Sequence, residues 1–256
     1  MIELQDVAKV YQTRTAGIFA VGNVSLSVAE GEFVSIVGPS GCGKSTLLNM
    51  IAGFFAPSAG TVTVDGKPVQ GQVPPALGYI FQKDTLLPWY TVQKNIALGL
   101  RFQRVPPERI RARVAELLEL GHLQGFGNAY PHQLSGGMRR RVALLMSLAV
   151  EPRILLLDEP FGALDTHTKT HLHRELMEIW RKLGQTVVMV THDLDEAITL
   201  SDRVIVLSAP PSTVLLDERI EIAHPRDVFS LRESDQFLTH FQSIWSVLGQ
   251  QFRAAA

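Results

Sequence analysis

Cysteine, net charge and long hydrophobic runs are scarce in this sequence, and each shortage excludes something. Cys42 is the only cysteine among 256 residues, so no disulfide forms within the chain, which suits a reducing compartment. The formal net charge is -1 and gives no electrostatic argument for nucleic-acid binding. No apolar run approaches the ~20 residues that cross a bilayer, and the first residues lack a signal-peptide pattern. We therefore expect a chain without its own membrane span that can still dock on a membrane protein.

Strand and helix patterns alternate along most of the chain, which predicts an α/β fold with a mostly parallel sheet. The apolar runs "FVSIV", "ILLLD" and "TVVMV" are typical of strands buried on both faces. The first sixty residues alternate apolar and polar side chains, as half-buried strands do. Helical spacing dominates without an intervening strand from about residue 88 to residue 150. The tail after Pro225 is also predicted to be helical. The middle stretch is therefore predicted to be an inserted helical subdomain.

A first glycine-rich stretch, "GPSGCGKST", stands between a predicted strand and a predicted helix and matches the pattern G-x-x-x-x-G-K-[ST]. Its glycines let successive backbone N–H groups point at a phosphate, and the helix N-terminus adds a positive dipole end. We call residues 38–46 the first glycine loop. The candidate phosphate-binding residues are Gly38, Pro39, Ser40, Gly41, Cys42, Gly43, Lys44, Ser45 and Thr46. The alternative is a glycine turn that joins a strand to a helix.

Three of these residues have individual predicted roles. Lys44 can neutralise the β- and γ-phosphates, the Ser45 hydroxyl can bind Mg²⁺, and Thr46 can contact the α-phosphate side. Cys42 is better explained as a small side chain tolerated in a tight loop than as a reactive thiol, because it has no partner cysteine.

Polar residues follow three other predicted strands. Asp158 and Glu159 end the run "ILLLDE", where the ligands of parallel sheets bind. Asp158 is a candidate Mg²⁺ ligand, and Glu159 a candidate general base that polarises water against the γ-phosphate. His192 is placed to sense the γ-phosphate, and Gln82 to contact Mg²⁺ or the attacking water. Strand-end acids that cap a turn and a structural histidine are the alternatives.

A second glycine loop, Ser135, Gly136 and Gly137 in "LSGGM", also begins a predicted helix and so can bind an anion. It lies within the helical stretch, away from the sheet edge that carries Lys44. One phosphate does not need two such loops from one chain. We therefore expect each loop to complete a site on a second copy, in a head-to-tail pair with two-fold symmetry. A plain Ser-Gly-Gly helix cap is the alternative.

Together with Gln82, "GALD" and His192, these motifs in this order closely resemble the ATP-binding subunits of ABC transporters, over essentially the whole chain. The resemblance implies a P-loop NTPase (RecA-like) core with an N-terminal antiparallel β subdomain and an inserted α-helical subdomain. It divides a single domain into a nucleotide-binding core with its β subdomain (1–87 and 151–224), a helical signature subdomain (88–150) and a C-terminal helical tail (225–256).

The resemblance also implies the cofactors ATP and Mg²⁺ and further residue roles. Tyr11 matches the aromatic residue that stacks on adenine, and Gln82 lies in the Q-loop. Residues 135–137 are the signature that contacts the partner's ATP. Residues 163–165, which include Asp165, form the D-loop, and His192 is the switch histidine.

The stretch "LLPWYTVQKNIALGL" resembles the nitrate, sulfonate and taurine importer branch. The apolar residues Leu87, Pro88, Trp89 and Tyr90 are candidates for gripping a permease helix, with internal packing as the alternative. This branch implies two ATPase subunits, a permease, and a secreted solute-binding protein that acts only indirectly, through the permease. It also implies a peripheral location on the cytoplasmic face of the cell membrane. The solute, and whether the pair is a homodimer, stay open. The rival hypotheses are a different ABC assembly, such as an exporter or lipid transporter, and a soluble ABC protein that acts on nucleic acid or ribosomes.

Two residues of the second glycine loop's helix depart from the family pattern. Met138 replaces the common glutamine, and Arg140 stands where glutamine is frequent. For the arginines of "RFQRVPPERIRAR" and for Arg139–Arg141 we favour a solvated helix face over a lipid-facing patch.

Overall fold

The computed structural model describes residues 1–12, 17–75, 77–83, 85–162 and 165–254. The strands within these ranges are β1 (Ile2–Gln12), β2 (Gly17–Val28), β3 (Phe33–Val37), β4 (Ala59–Val64), β5 (Lys67–Pro68), β6 (Leu77–Ile80), β7 (Ile154–Asp158), β8 (Thr186–Val190), β9 (Arg203–Leu207) and β10 (Val214–Arg219). The α-helices are α1 (Lys44–Ile51), α2 (Val92–Ile96), α3 (Leu98–Phe102), α4 (Pro107–Leu120), α5 (Gly136–Ala149), α6 (Thr166–Leu183), α7 (Leu194–Leu200) and α8 (Asp235–Ala254).

The central sheet has the strand order β10-β9-β3-β8-β7-β6. Its strands run parallel except at the β9–β10 pair. Every residue of β3, β7 and β8 is buried, as their continuous apolar runs predict. Because parallel strands end at the same edge, the carboxyl ends of β3, β6, β7 and β8 lie together. We call this side of the sheet the catalytic edge, and the predicted α/β class is confirmed.

The N-terminal sheet is antiparallel, with the strand order β2-β1-β4-β5. Alternate residues of β1 and β2, such as Ile2, Leu4 and Val28, are buried in one apolar cluster with Leu47 and Ile51 of α1. Helix α1 therefore packs between the two sheets. This arrangement fixes the first glycine loop, which immediately precedes α1, at the boundary between them.

Helices α2 to α5 separate β6 from β7 in the sequence, as the helical spacing predicts. The predicted helical stretch after Thr91 forms two short helices, α2 and α3, joined at Ala97. Leu117 of α4 packs with Leu145 and Leu148 of α5 in one buried cluster. Helix α5 also contacts β6 and α6, so the helical stretch is attached to the central sheet through α5.

The last described element is α8, which contacts α7, β9 and β10. Phe237, Ile244 and Leu248 of this helix are buried in a small apolar cluster. Helix α8 lies within the stretch that is predicted to be a helical tail. Across the described ranges, no helix combines the length and the apolar character needed to cross a bilayer.

Candidate functional site: a phosphate loop beside three converging side chains

The first glycine loop connects the end of β3 to the start of α1, as predicted. Gly43 is the N-cap of α1 with φ +95°, a conformation that favours glycine. A Cβ on Gly43 would lie 2.9 Å from the Ala20 carbonyl oxygen of the neighbouring sheet. The loop therefore needs glycine here both for backbone conformation and for close packing. Its N–H groups and the α1 N-terminus form the type of cradle that binds phosphate.

Lys44 lies within this loop and is buried. Its Nζ donates hydrogen bonds to the carbonyl oxygens of Gly38 at 2.8 Å and Pro39 at 2.9 Å. The ammonium is thus held over the concave side of the loop. Cys42 is fully buried, and burial raises the pKa of its thiol. This supports the interpretation of Cys42 as a small packed side chain.

Ser45 and Asp158 meet although 113 residues separate them. Ser45 Oγ donates to Asp158 Oδ1 at 2.8 Å. Tyr79 donates to Asp158 Oδ2 at 3.3 Å and to Asn49 Oδ1 at 2.8 Å. Burial raises the pKa of the Asp158 carboxyl, and the two hydrogen bonds oppose that rise. A hydroxyl and a carboxylate oxygen at this distance are hard donors that suit Mg²⁺.

Three predicted catalytic side chains converge at Glu159. Gln82 Nε2 donates to Glu159 Oε2 at 2.9 Å, and His192 Nδ1 lies 3.4 Å from Glu159 Oε1. Each residue follows a different strand of the catalytic edge. The Glu159 backbone has φ +44°, which is uncommon for a residue with a side chain. An amide, an imidazole and a carboxylate therefore lie together beside the first glycine loop. The structure gives Gln82 this contact with Glu159 and none with the Ser45–Asp158 pair.

Tyr11 lies near the end of β1. Its hydroxyl is 3.4 Å from Thr46 Oγ1, and its ring packs edge-on against Phe55. The ring is partly exposed beside the first glycine loop. This position is compatible with the predicted adenine contact, which stays a prediction.

The second glycine loop begins α5. Ser135 Oγ accepts a hydrogen bond from the Met138 N–H at 3.2 Å, so the predicted helix cap is present. A Cβ on Gly137 would lie 2.6 Å from the Thr168 side chain on α6. In the described part of the chain, no hydrogen bond joins residues 135–137 to the first glycine loop. The two loops therefore begin different helices, α1 and α5, and share no hydrogen bond within the described residues.

Asp165 is the N-cap of α6, and its Oδ1 accepts from the Thr168 N–H at 3.0 Å. Hydrogen bonds from Thr168, from its N–H above all, lower the pKa of the Asp165 carboxyl. Its predicted nucleotide contact stays a prediction. Ala163 and Leu164 of the predicted D-loop lie outside the described residues.

Sequence reasoning missed an ionic cluster behind His192. Lys169 of α6 lies 2.9 Å from Asp193 Oδ2 and 2.8 Å from Glu196 Oε1. Thr191 donates to Glu196 Oε2 at 2.6 Å, and Asp193 also caps α7. The cluster ties the helix that follows the D-loop to the segment that carries His192. Acidic residues at the start of a helix are typical of an N-terminal cap, so Asp193 and Glu196 alone give no sign of their lysine partner.

The interpretation of residues 139–141 as a solvated helix face is wrong for Arg140. Arg140 is only 8% exposed, and its guanidinium donates to the carbonyl oxygens of Phe81, Glu159 and Pro160. Arg141 is half-buried and pairs with Glu175 of α6 at 2.9 Å. Met138 packs against the cluster of the helical stretch. These side chains are thus part of the molecule's internal packing.

The candidate docking residues form a turn before α2. Trp89 is 67% exposed and Pro88 is exposed, whereas Leu87 and Tyr90 are half-buried. The buried Asn95 side chain holds this turn, which sequence reasoning missed. Its Oδ1 accepts from the Leu87 N–H, and its Nδ2 donates to backbone carbonyls of the turn. Internal packing therefore does not account for Trp89.

Comparison with known proteins agrees with this geometry. The family model described as ABC transporter matches residues 21–162. A taurine import ATP-binding protein of Burkholderia pseudomallei is 43% identical over 238 residues, which cover 91% of each chain. A nitrate import ATP-binding protein of Synechocystis sp. is 39% identical over 253 residues, which cover 96% of this chain and 94% of that protein.

A solved structure is similar as well. It is the dimeric post-hydrolysis state of an ATP-binding cassette bound to ADP and Pi, with a TM-score of 0.77 and 36% identity. The match covers 87% of this chain and all of that one. The chain therefore belongs to the ABC transporter family and is one of its ATP-binding subunits, an ATP hydrolase with the P-loop fold.

Proposed function

We propose that this chain energises the import of a small solute, of the nitrate, sulfonate or taurine type, through a partner membrane permease. The observation that carries the proposal is the convergence of Gln82 and His192 on Glu159 beside the first glycine loop. This arrangement suits ATP hydrolysis that is coupled to movement. The importer assignment is supported by relatives named for taurine and nitrate import.

In the proposed site, the first glycine loop and Lys44 bind the phosphates of ATP, and Tyr11 packs on the adenine. Ser45 and Asp158 hold Mg²⁺, which neutralises phosphate charge when it is bound. Gln82 is proposed to reach the same ion or the attacking water. The donor set fits, because Mg²⁺ usually takes few protein ligands besides water and phosphate oxygens.

Glu159 is the proposed general base. Its carboxylate takes the proton of a water molecule as the water oxygen attacks the γ-phosphorus and the bond to the β–γ bridging oxygen breaks. The products are ADP and inorganic phosphate. Gln82 and His192 lie on opposite oxygens of this carboxylate and can orient it. Both residues follow strand ends, so a shift of either segment would change the base's geometry.

A second copy of the chain is proposed to complete each site. Ser135, Gly136, Gly137 and Asp165 would contact the nucleotide held by the partner's first glycine loop. The placement of the two glycine loops at the N-termini of different helices supports this arrangement, and so does the dimeric state of the similar cassette. The exposed turn with Leu87, Pro88, Trp89 and Tyr90 would dock on the permease at the cytoplasmic face of the membrane. A secreted solute-binding protein would act through that permease.

The first experiment is a pull-down of the tagged chain from detergent-solubilised membranes, with its partners identified by mass spectrometry. We expect one permease together with a solute-binding protein. An exporter or lipid-transport subunit would refute import, and ribosomal or DNA-bound proteins without a permease would refute transport. The Trp89→Ala variant should lose the permease. Leu238→Ala, which removes an exposed side chain on α8, is the matched control and should keep it.

The catalytic assignment has a separate test. Glu159→Gln should bind ATP, lose turnover and trap the closed dimer, as measured by size-exclusion chromatography with ATP and Mg²⁺. The amide keeps the shape of the side chain but cannot accept the water proton. Turnover close to that of the wild type would overturn the role of Glu159.

A further inference from the structure

Arg140 is a buried arginine close to the catalytic edge. It lies on α5, one turn after the second glycine loop, and is only 8% exposed. Arginine is rarely buried unless its donors are satisfied. At this position the family pattern frequently has glutamine. The contacts of Arg140 are therefore a feature of this chain that the proposed catalytic roles do not explain.

The guanidinium bridges two segments that carry catalytic side chains. Nη1 donates to the Phe81 carbonyl oxygen at 2.7 Å, and Phe81 directly precedes Gln82. Nη2 donates to the Glu159 carbonyl oxygen at 3.4 Å, and Nε donates to the Pro160 carbonyl oxygen. One side chain thus holds the main chain at the end of β6 and at the end of β7.

The geometry of these contacts depends on the guanidinium. Its donors spread over three nitrogens in a rigid planar fork, whereas lysine and glutamine each donate from a single nitrogen. A single nitrogen cannot reproduce the three directions along which Arg140 donates. Arg140 therefore fixes the distance between the Gln82 and Glu159 segments in a way that those residues do not.

The backbone of Glu159 needs such support. Its φ of +44° lies in the left-handed region, which costs free energy for a residue with a Cβ. The Glu159 N–H donates to the Val190 carbonyl oxygen at 2.9 Å, and its own carbonyl oxygen accepts from Arg140 and from the Gly162 N–H at 3.4 Å each. Hydrogen bonds on both sides thus hold the unusual conformation that aims the carboxylate at Gln82 and His192.

We propose that Arg140 is a positioning residue, which holds the Glu159 carboxylate and the Gln82 amide in register for hydrolysis. It contacts neither of those functional groups and acts through the main chain of their segments. The inference rests on the proposed role of Glu159 as general base. The helix that follows the second glycine loop would then also position catalytic residues of its own chain.

The test is ATP hydrolysis by the purified full chain with Arg140→Met and Arg140→Lys. We expect Arg140→Met to lower kcat at least tenfold, about 1.4 kcal/mol in activation free energy, with KM for ATP changed less than about twofold. Arg140→Lys should recover part of kcat, because it keeps the charge and one donor nitrogen. The control is Arg109→Gln, an exposed arginine on α4, which should leave kcat unchanged.

A double-mutant cycle separates positioning from general stabilisation of the fold. In the Glu159→Gln background, Arg140→Met should slow single-turnover hydrolysis much less than it does in the wild type, because the carboxylate is already absent and only the Gln82 amide is left to be displaced. An equal loss in both backgrounds would overturn the inference, as would a wild-type kcat for folded Arg140→Met. If Arg140→Met fails to fold, Arg140→Lys in the same cycle decides between these outcomes. Wild-type turnover by Glu159→Gln alone would instead refute the base assignment.

Discussion

His173 should make the folding stability of this protein depend on pH. It lies on α6 and is 3% exposed, with its Nε2 4.0 Å from Glu196 Oε1 and its ring edge-on to Phe161. Burial, reinforced by the positive charge of Lys169, lowers the pKa of His173 to about 3. The neighbouring carboxylates do not overcome this effect. The imidazole is therefore neutral in the folded protein, and its approach to Glu196 is not an ion pair.

The direction of the effect follows from proton linkage. An unfolded histidine has a pKa of about 6.5, so between pH 6.5 and 3 only the unfolded chain binds this proton. Stability is complete above pH 6.5 and falls as the pH drops through that window, by up to ~1.4 kcal/mol per pH unit. Between pH 7.5 and 5 the loss amounts to about 2 kcal/mol. This loss of about 2 kcal/mol requires only that the pKa of His173 in the folded protein lie well below 5.

The assay is urea unfolding of the wild type and of His173→Gln at several pH values in this range. Glutamine is neutral throughout, so the variant's free energy of unfolding should fall by about 2 kcal/mol less than that of the wild type. Subtracting the two profiles removes the titration of Glu196, Asp193 and the other groups that both proteins share. The exposed His132→Gln is the control and should keep the wild-type slope. Parallel profiles for the wild type and His173→Gln would refute the reasoning.

Three further predictions concern the ion site, the docking turn and the second glycine loop. Asp158→Asn should raise the Mg²⁺ concentration needed for half-maximal ATPase activity at least ~10-fold, because it replaces the one carboxylate among the proposed protein ligands by a neutral amide. An unchanged Mg²⁺ titration would exclude this ligand. Asn95→Ala should lower the free energy of unfolding by about 2 kcal/mol, since it removes the hydrogen-bond partner of the Leu87 N–H and of the Tyr90 carbonyl oxygen. The exposed Gln93→Ala should change it little in the same urea titration. Gly137→Ala should destabilise the fold by about 1–3 kcal/mol, because the new methyl group overlaps with Thr168. Thr168→Ser removes the obstructing methyl group, so the double variant should recover most of the lost stability. A Gly137→Ala variant as stable as the wild type would contradict this packing.

Much of the catalytic edge was predictable because local sequence dictates it. The first glycine loop needs glycine at left-handed positions and a helix directly after it, and both requirements are visible in nine residues. Continuous apolar runs identified the buried strands, and the residue after each strand identified the edge. The sequence therefore placed Lys44, Asp158, Glu159 and His192 on one side of the sheet without any tertiary information.

The remaining contacts were not predictable because they join residues that are distant in sequence. Tyr79 reaches Asp158 across 79 positions, and nothing in the strand "LGYI" distinguishes that hydroxyl from a packed aromatic ring. Arg140 stands among three consecutive arginines, a pattern that usually marks an exposed face, yet it is buried where α5 packs on β6 and beside the residues that follow β7. Asn95 follows two other polar residues, Gln93 and Lys94, in the short helix α2, so its burial shows only once the turn before it is known.

In the proposed dimer the two glycine loops bind different nucleotides, and α5 connects the two proposed sites. Ser135 begins this helix and is proposed to contact ATP held by the partner chain, while Arg140 holds the main chain beside this chain's own Glu159. The two residues are five positions apart, about 7.5 Å along a rigid helix. Any displacement of α5 when its N-terminus engages the partner's nucleotide must therefore also move the guanidinium that positions Glu159. A dimer built this way couples each carboxylate to the occupancy of the opposite site, because the coupling element is a single helix rather than a chain of loops.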